Sequence, residues 1–538
     1  MKVKADKVIM TAGISAFFGM ILLSALTSDI TGGKVSETQK RKLATFPDIT
    51  AEDMTPGKFT QGMEDWCSDN IGFADLYNRF YTAVNVRLLG KMTNSQVQAG
   101  KDGFYFITES HNTEIGMGLY KLSEDTLKEI AHEQQKVADY YKRNGIEYYL
   151  VLVPSKASVY PEKISGGDFA VSPTVVDQIE EYLTANTDVR VINVKDVLTE
   201  GKASAPMFIR TDTHWTAQGS YLVYEKVMER LLADGCIDAV SDFEPDMSVT
   251  AEIEGDLSGM IGVGALEKEV VSAPVWDTSV AEDTQSGEYK ALEAVLDRLQ
   301  KEAPMEIARQ EKMWHNDSAV NDKKLLIYGD SLYRDLPERP VSRYFAENFR
   351  DTDYLRVRAG AEELDRCEKP DIVLFSCYER FAEKVLTTRP LVSDDAEELK
   401  KRSELPQQTA DIWIADNGLC LNNDGGVVKC EKGSIVLDPD EDVYAFRGWA
   451  IDYRNRSDLD GMIVMADGVQ ISCPYGRKAG DITEHFNEEG YRNCRFKFTV
   501  DKNFITDNDV KKLTFYLLSS DGVSYYAPIE YDVSFGKQ

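Results

Sequence analysis

Residues 146–153 read Ile-Glu-Tyr-Tyr-Leu-Val-Leu-Val, and Pro154 stops the run. A stretch this apolar, without polar alternation, fits a strand buried on both faces. Such a strand needs helices above and below its sheet. The neighbouring sequence supplies them. Apolar residues recur at helical spacing over about 123–143, 174–185 and 217–234, and Gly235 closes the last segment. Further strands are predicted at 189–194, 324–328, 354–357 and 371–376. Lys101-Asp102-Gly103 before Phe104-Tyr105-Phe106 is turn chemistry ahead of another. Strands alternating with helices predict a parallel sheet in a three-layer α/β/α domain.

The pattern changes at both ends. Past about 405 the helical periodicity stops. Short strands are predicted at 434–437, 443–452, 461–466, 494–500, 512–518 and 523–529, with turns such as Asp460-Gly461, Asp467-Gly468 and Asp521-Gly522. That regular spacing predicts a C-terminal β-sandwich. Residues 59–90 carry an apolar stripe (Phe59, Met63, Trp66, Leu76, Phe80, Val84, Leu88) that fits a packing helix. A polar stretch at about 240–320 contains one helical pattern, at 290–310. The chain therefore divides into 1–27, a connector and helical region at 28–100, an α/β domain at 101–390 and a β-sandwich at 405–538.

Residues 8–27 contain no charged side chain, and Lys2, Lys4 and Lys7 precede them. Twenty helical residues span about 30 Å, the thickness of a hydrocarbon core. No small-x-small cleavage site follows, so an uncleaved signal anchor is expected; a cleaved signal peptide and a buried helix are the alternatives. No second long apolar segment occurs, which places the remainder on one side of the membrane, most simply the extracytoplasmic side.

Charge narrows the function. With 61 Lys+Arg against 91 Asp+Glu, the net charge is −30. Such a surface repels phosphate backbones and excludes a nucleic-acid binder, which needs a basic stripe. Hydrophobic residues at 43% exclude bulk disorder. Eight Cys without a C-x-x-C are too few for a disulfide scaffold and do not form a zinc ribbon. No metal site and no cofactor are expected, since Gly-x-x-x-x-Gly-Lys is absent and Gly262-Val-Gly264 lacks the third Gly of a dinucleotide loop.

Imidazole chemistry must draw on five His. His111, His132, His315 and His485 stand in polar contexts and read as surface residues; His132-Glu133 begins a zinc-protease pattern, but position 136 is Lys. His214 lies in Thr211-Asp212-Thr213-His214-Trp215-Thr216. On a loop, Asp212 can reach Nδ1 and fix the tautomer, leaving Nε2 as a base, with Trp215 shielding the pair. Equally, Thr216 can cap the next helix while Asp212 and His214 are incidental. Gly329-Asp330-Ser331 ends a buried strand, where ligand crevices of open α/β sheets lie. A Ser there, with an Asp-x-His elsewhere, has the logic of a triad. Glu379-Arg380 ends the next strand; Arg380 can meet an oxyanion or form an ion pair with Glu379.

These residues resemble a known family. The chain is similar to the AlgX/AlgJ-like polysaccharide O-acetyltransferases and the related bacterial DHHW proteins, which carry an SGNH-hydrolase-like domain. The matching elements are Glu37 with Arg41 to Pro47, Asp69-Asn-Ile-Gly-Phe73, Gly100-Lys-Asp-Gly-Phe104, Val153-Pro-Ser-Lys156, Thr211 to Thr216, Gly255-Asp-Leu257, Gly329-Asp-Ser331 and Glu379-Arg380. The Asp-x-His element precedes Gly-Asp-Ser, reversing the usual SGNH order. The resemblance implies Ser331 as nucleophile, His214 as general base and Asp212 as its orienter. It implies weaker substrate or oxyanion contacts at Arg380, Trp215 and Tyr333. It also implies a polysaccharide acceptor and a membrane-bound O-acyltransferase partner that supplies acetyl groups. Leu332 stands where the family commonly has an aromatic, and no Asn of the usual oxyanion hole is found.

The C-terminal region resembles β-sandwich modules of bacterial envelope sugar enzymes at Phe446 to Ala450, Arg477 and Asp481. Trp449, Tyr453 and Tyr475 can stack on sugars, although core packing accounts for Trp449 as well. Cys420/Cys430 and Cys473/Cys494 are either disulfides or free thiols. Alternatives to acetyl transfer are an SGNH-type carbohydrate acetylesterase and a non-catalytic glycan-binding scaffold.

Overall fold

The computed structural model describes residues 94–165, 173–276, 280–293, 311–356, 369–387 and 419–537, except 291, 337, 432, 472 and 522–524, together with short pieces between 35 and 92. The expected membrane segment at 8–27 and most of the helical pattern at 290–310 lie outside these residues. No helix among the described residues is long and apolar enough to cross a membrane. Of the stripe at 59–90, a helix at Lys58–Asn70 and a π-helical turn at Val84–Leu88 are described.

A seven-stranded sheet forms the frame of the first domain. In chain order its strands are β1 Glu147–Val153, β2 Val191–Asn193, β3 Ala281–Glu282, β4 Lys312–His315, β5 Asn321–Gly329, β6 Phe349–Arg356 and β7 Ile372–Tyr378. Their spatial order is β2-β1-β7-β5-β6-β4-β3. The five strands from β2 through β6 in this order run parallel, whereas β4 and β3 add an antiparallel edge on the far side. Neither edge strand was predicted, because Lys312-Met-Trp-His315 lacks an apolar run.

Strand residues alternate between two cores. Tyr149, Val151, Val153, Leu325 and Ile327 face α3 (Ala217–Ala233) and α5 (Val341–Ala346). Tyr148, Leu150, Leu152, Leu326 and Tyr328 face α1 (Glu124–Arg143) and α2 (Val175–Asn186). That is the double burial implied by the unbroken run at 146–153. The three longer of these helices start at side-chain caps. Ser123 Oγ accepts from Thr126 N (3.0 Å), Thr174 and Asp177 form a capping box, and Thr216 Oγ1 accepts from Gly219 N (3.1 Å).

The C-terminal region forms two sheets around a shared core that includes Tyr444, Phe446, Phe498, Phe515 and Leu517. The predicted strands at 434–437, 443–452, 461–466 and 512–518 match the observed bounds. The strand expected at 523–529 lies instead at Ile529–Phe535, where Tyr531 turns inward and Glu530 and Asp532 outward. Two further strands, Leu419–Asn423 and Val427–Glu431, come from a segment read only as a turn. Cys430, Cys473 and Cys494 are not disulfide-bonded, so of the two alternatives for each pair the disulfide is not formed. The sandwich meets α1 through Arg492 on Glu129 (2.5 Å) and Lys136 on Asp460 (2.8 Å).

Candidate active site

Three chain segments converge beyond the carboxyl ends of β1, β5 and β7, where open α/β sheets bind ligands. The first is the loop 207–216. Phe208 bridges Trp215, Thr216 N donates to Met207 O (2.9 Å), and Ile209 N donates to His214 O (3.1 Å). This pinches the segment into a hairpin with Asp212 and His214 at its tip. Thr216 caps α3 at the same time, so both readings of the motif are realised together.

Asp212 Oδ1 lies 2.6 Å from His214 Nδ1 and also accepts from His214 N at 2.8 Å. Its Oδ2 accepts from Asp256 N at 2.9 Å. Arg339 Nη1 stands 3.6 Å from Oδ1. Burial works against ionisation of this carboxyl, but the His214 charge and hydrogen bond, Arg339 and the Asp256 amide outweigh it. Its pKa falls well below the usual carboxylate range.

The second segment is the turn after β5. Ser331 Oγ lies 3.1 Å from His214 Nε2, across 117 residues of chain. The turn is shaped by Asp330, whose buried carboxyl accepts from Leu332 N (2.8 Å) and Tyr378 N (2.9 Å). It thereby clamps the ends of β5 and β7 together. Burial raises its pKa against those two amides. Asp330 therefore builds the turn, while Asp212 faces the imidazole.

Lys156, just past β1, had no role assigned from sequence. Its buried ammonium donates to the carbonyls of Ile209 (3.2 Å), Arg210 (2.8 Å) and Asp212 (2.5 Å). Three converging carbonyls gather the loop from beneath. Burial pulls the ammonium down to about 8, although Asp256, Asp212 and Glu269 oppose this.

Asp256 opens helix α4 (Asp256–Met260) and approaches the imidazole from the other side, with Oδ2 3.5 Å from Nδ1. A Cβ at Gly255 would lie 2.3 Å from Thr211 O, so only glycine lets this segment close on the loop. Leu257 N and Ser258 N then both donate to Thr211 O at 3.1 Å.

The third segment follows β7. The alternative Glu379–Arg380 ion pair is not formed. Glu379 instead accepts from Ser155 N (2.8 Å) and Val176 N (3.1 Å) and from the Ser158 hydroxyl. Arg380 packs over the Phe381 ring (4.4 Å), and its Nε and Nη1 are buried without a hydrogen-bond partner. The nearest carboxylate oxygen, on Glu109, is 3.9 Å away.

Several sequence-derived assignments need correction. Trp215 and Tyr333 are fully buried and pack edge to face at 5.5 Å, so they support the site from below rather than touch substrate. Tyr475 is also buried; its hydroxyl donates to Ala450 O (2.8 Å) and accepts from Leu459 N (2.9 Å), which excludes stacking on a sugar. Trp449 and Tyr453 remain half-buried, Trp449 against Phe486. His315, read as a surface residue, is 43% exposed and sits between Asp351 (2.7 Å) and Asp317 (3.1 Å), which raise its pKa. Asp212, His214 and Asp256 are the group among the described residues whose atoms lie close enough to share a cation. Asp212 and Nδ1 are already hydrogen-bonded to each other at 2.6 Å.

Comparison with known proteins bears on this loop. Residues 97–303 match the family model of the SGNH hydrolase-like domain of acetyltransferase AlgX. The match contains Asp212, His214 and Asp256; Ser331 lies beyond it. A probable alginate O-acetylase AlgJ from Pseudomonas syringae pv. tomato is 25% identical over 241 residues, covering 44% of this chain and 58% of that protein. Its counterpart from Azotobacter vinelandii is 21% identical over 315 residues, covering 56% of this chain and 78% of that one. The chain thus spans little more than half the length of the first relative. The solved O-acetyltransferase domain of Pseudomonas putida AlgJ superposes with a TM-score of 0.36 at 15% identity, over 57% of this chain and 97% of that domain.

Proposed function

We propose that this AlgX-type chain is an O-acetyltransferase that moves acetyl groups onto hydroxyls of an exported or cell-surface polysaccharide. The observation that carries the reading is the contact between Ser331 and the His214–Asp212 pair, brought together across 117 residues of chain. The names of the alginate O-acetylase relatives support the reaction class.

In this mechanism Ser331 Oγ attacks the acetyl carbonyl while His214 Nε2 takes its proton. Asp212 holds Nδ1–H and stabilises the imidazolium. The unpaired Arg380 donors meet the oxyanion of the tetrahedral intermediate. The donor group leaves with the proton from Nε2, and acetyl-Ser331 remains. A sugar hydroxyl then gives its proton to Nε2, attacks the acetyl carbon and releases Ser331. Water in place of the sugar makes the same site an esterase. The acetyl group comes from a membrane-bound O-acyltransferase, and the 8–27 segment anchors the enzyme with its site outside the cytoplasm.

Acetate release from an activated acetyl ester tests the reading, with and without polysaccharide acceptors. Turnover should fall at least about 10³-fold in Ser331→Ala and in His214→Ala. Acetylated glycan should appear at the expense of free acetate. Undiminished turnover in Ser331→Ala would remove the nucleophile, and acetate release indifferent to every acceptor would make the protein an esterase.

A further inference from the structure

A triad needs one carboxylate on its histidine, and here two approach the same nitrogen. Asp212 Oδ1 is 2.6 Å from His214 Nδ1, and Asp256 Oδ2 is 3.5 Å away. The second carboxylate is not an incidental neighbour. Thr213 N donates to its Oδ1 at 2.7 Å, and the Thr213 hydroxyl donates to its Oδ2. That hydroxyl oxygen itself lies 3.3 Å from Nδ1. The Asp256 amide holds the competing carboxylate at 2.9 Å, and the glycine before it permits the approach. Two aspartates and one imidazole are therefore locked together by the backbone of both loops.

We propose that Asp256 is a second positioning carboxylate for His214, placed to accept the Nδ1 proton when Asp212 does not. A shift of less than about 1 Å would bring Oδ2 to hydrogen-bond distance. The charges around the pair favour the exchange. In the native protein the Asp212 charge, after burial, raises the Asp256 pKa. Removing Asp212 removes that repulsion, and the His214 imidazole and the Lys156 ammonium are left to favour ionised Asp256. The side chain is 38% exposed, so the rearrangement displaces solvent rather than packed core.

The proposal rests on the Ser331–His214 reading above, and a double-mutant cycle separates the two. In kcat on an activated acetyl ester, Asp212→Ala should lose about 10²-fold, short of the about 10⁴-fold of His214→Ala. Asp256→Asn alone should cost about threefold, but in the Asp212→Ala background about 10²-fold more, a non-additive cycle with KM little changed. Equal costs of Asp256→Asn in both backgrounds would overturn the proposal, as would Asp212→Ala already at the His214→Ala level. Should the double variant fold poorly, the Nδ1 proton of His214 decides by NMR. A downfield, hydrogen-bonded resonance persisting in Asp212→Ala supports the exchange, and its loss contradicts it. Full activity in both Ser331→Ala and His214→Ala would sink the acetyl-transfer reading itself, whereas inactive single variants with an additive cycle would sink only the role of Asp256.

Discussion

Two buried aspartates, one in each half of the molecule, show how the same residue serves different ends. Asp452 in the sandwich accepts from the Tyr526 hydroxyl, both nitrogens of Asn455, the Ser519 hydroxyl, and the amide and hydroxyl of Ser520. All of these partners are neutral. Burial raises its pKa, and the Tyr526 hydroxyl with the Asn455 and Ser520 amides lowers it further still. Asp212 is as deeply buried and also held low, but one of its partners is the imidazole of His214. Saturation by neutral donors makes a fixed anion that knits loops together. A titratable partner with a free face makes a part that can move a proton. What separates structure from chemistry is the partner set, not the burial or the direction of the pKa shift.

The largest expected effect falls on the α/β site alone. His214→Ala should reduce kcat about 10⁴-fold while leaving the melting temperature within a few degrees, read by steady-state kinetics and calorimetry. The complementary result belongs to the sandwich. Asp452→Ala strands several buried donors and should cost about 3 kcal/mol in urea unfolding, with kcat of the folded protein unchanged. A fall in kcat there would break the division between the two halves.

Lys156 sharpens the comparison through pH. Its folded pKa of about 8 lies below the unfolded value near 10.5. Between those values the unfolded chain binds more protons, so this group makes stability rise with pH. Activity should move the other way. As the ammonium loses its proton above about pH 8, the carbonyls of Ile209, Arg210 and Asp212 lose a donor and the triad loop loosens. Lys156→Arg should extend the alkaline limb of the pH–kcat profile; an unaltered limb would remove Lys156 from the account. The smallest effect is Tyr475→Phe, which removes two hydrogen bonds at a buried hydroxyl and should cost about 1–2 kcal/mol with glycan binding unchanged.

Sequence patterns carry far where one residue decides one thing. The run at 146–153 announces its double burial, the Asp-Gly turns at 460–461 and 467–468 bound Gly461–Ala466, and alternation fits Lys512–Leu518. The Asp-x-His element is readable because both side chains belong to one tight loop. Its union with Ser331 depends on strand order, which no local pattern encodes. Arg339 was missed because it reaches Asp212 from a turn bridged at Leu336, without any motif. Asp256 and Lys156 stood in quoted elements, but their roles come from three-dimensional convergence on the loop at 207–216. Tyr475 was misassigned because an aromatic on a sandwich strand looks the same in sequence whether its hydroxyl faces the core or a ligand.

The central claim is that Ser331 carries the acetyl group. Rapid quench of the purified protein with an activated acetyl donor, followed by intact mass and peptide mapping, tests it directly. The account predicts one acetyl adduct on the Ser331 peptide that forms faster than it decays, is absent in Ser331→Ala, and is discharged by an acceptor glycan. An acetyl group mapped to another residue, or an adduct that persists in Ser331→Ala, would contradict it.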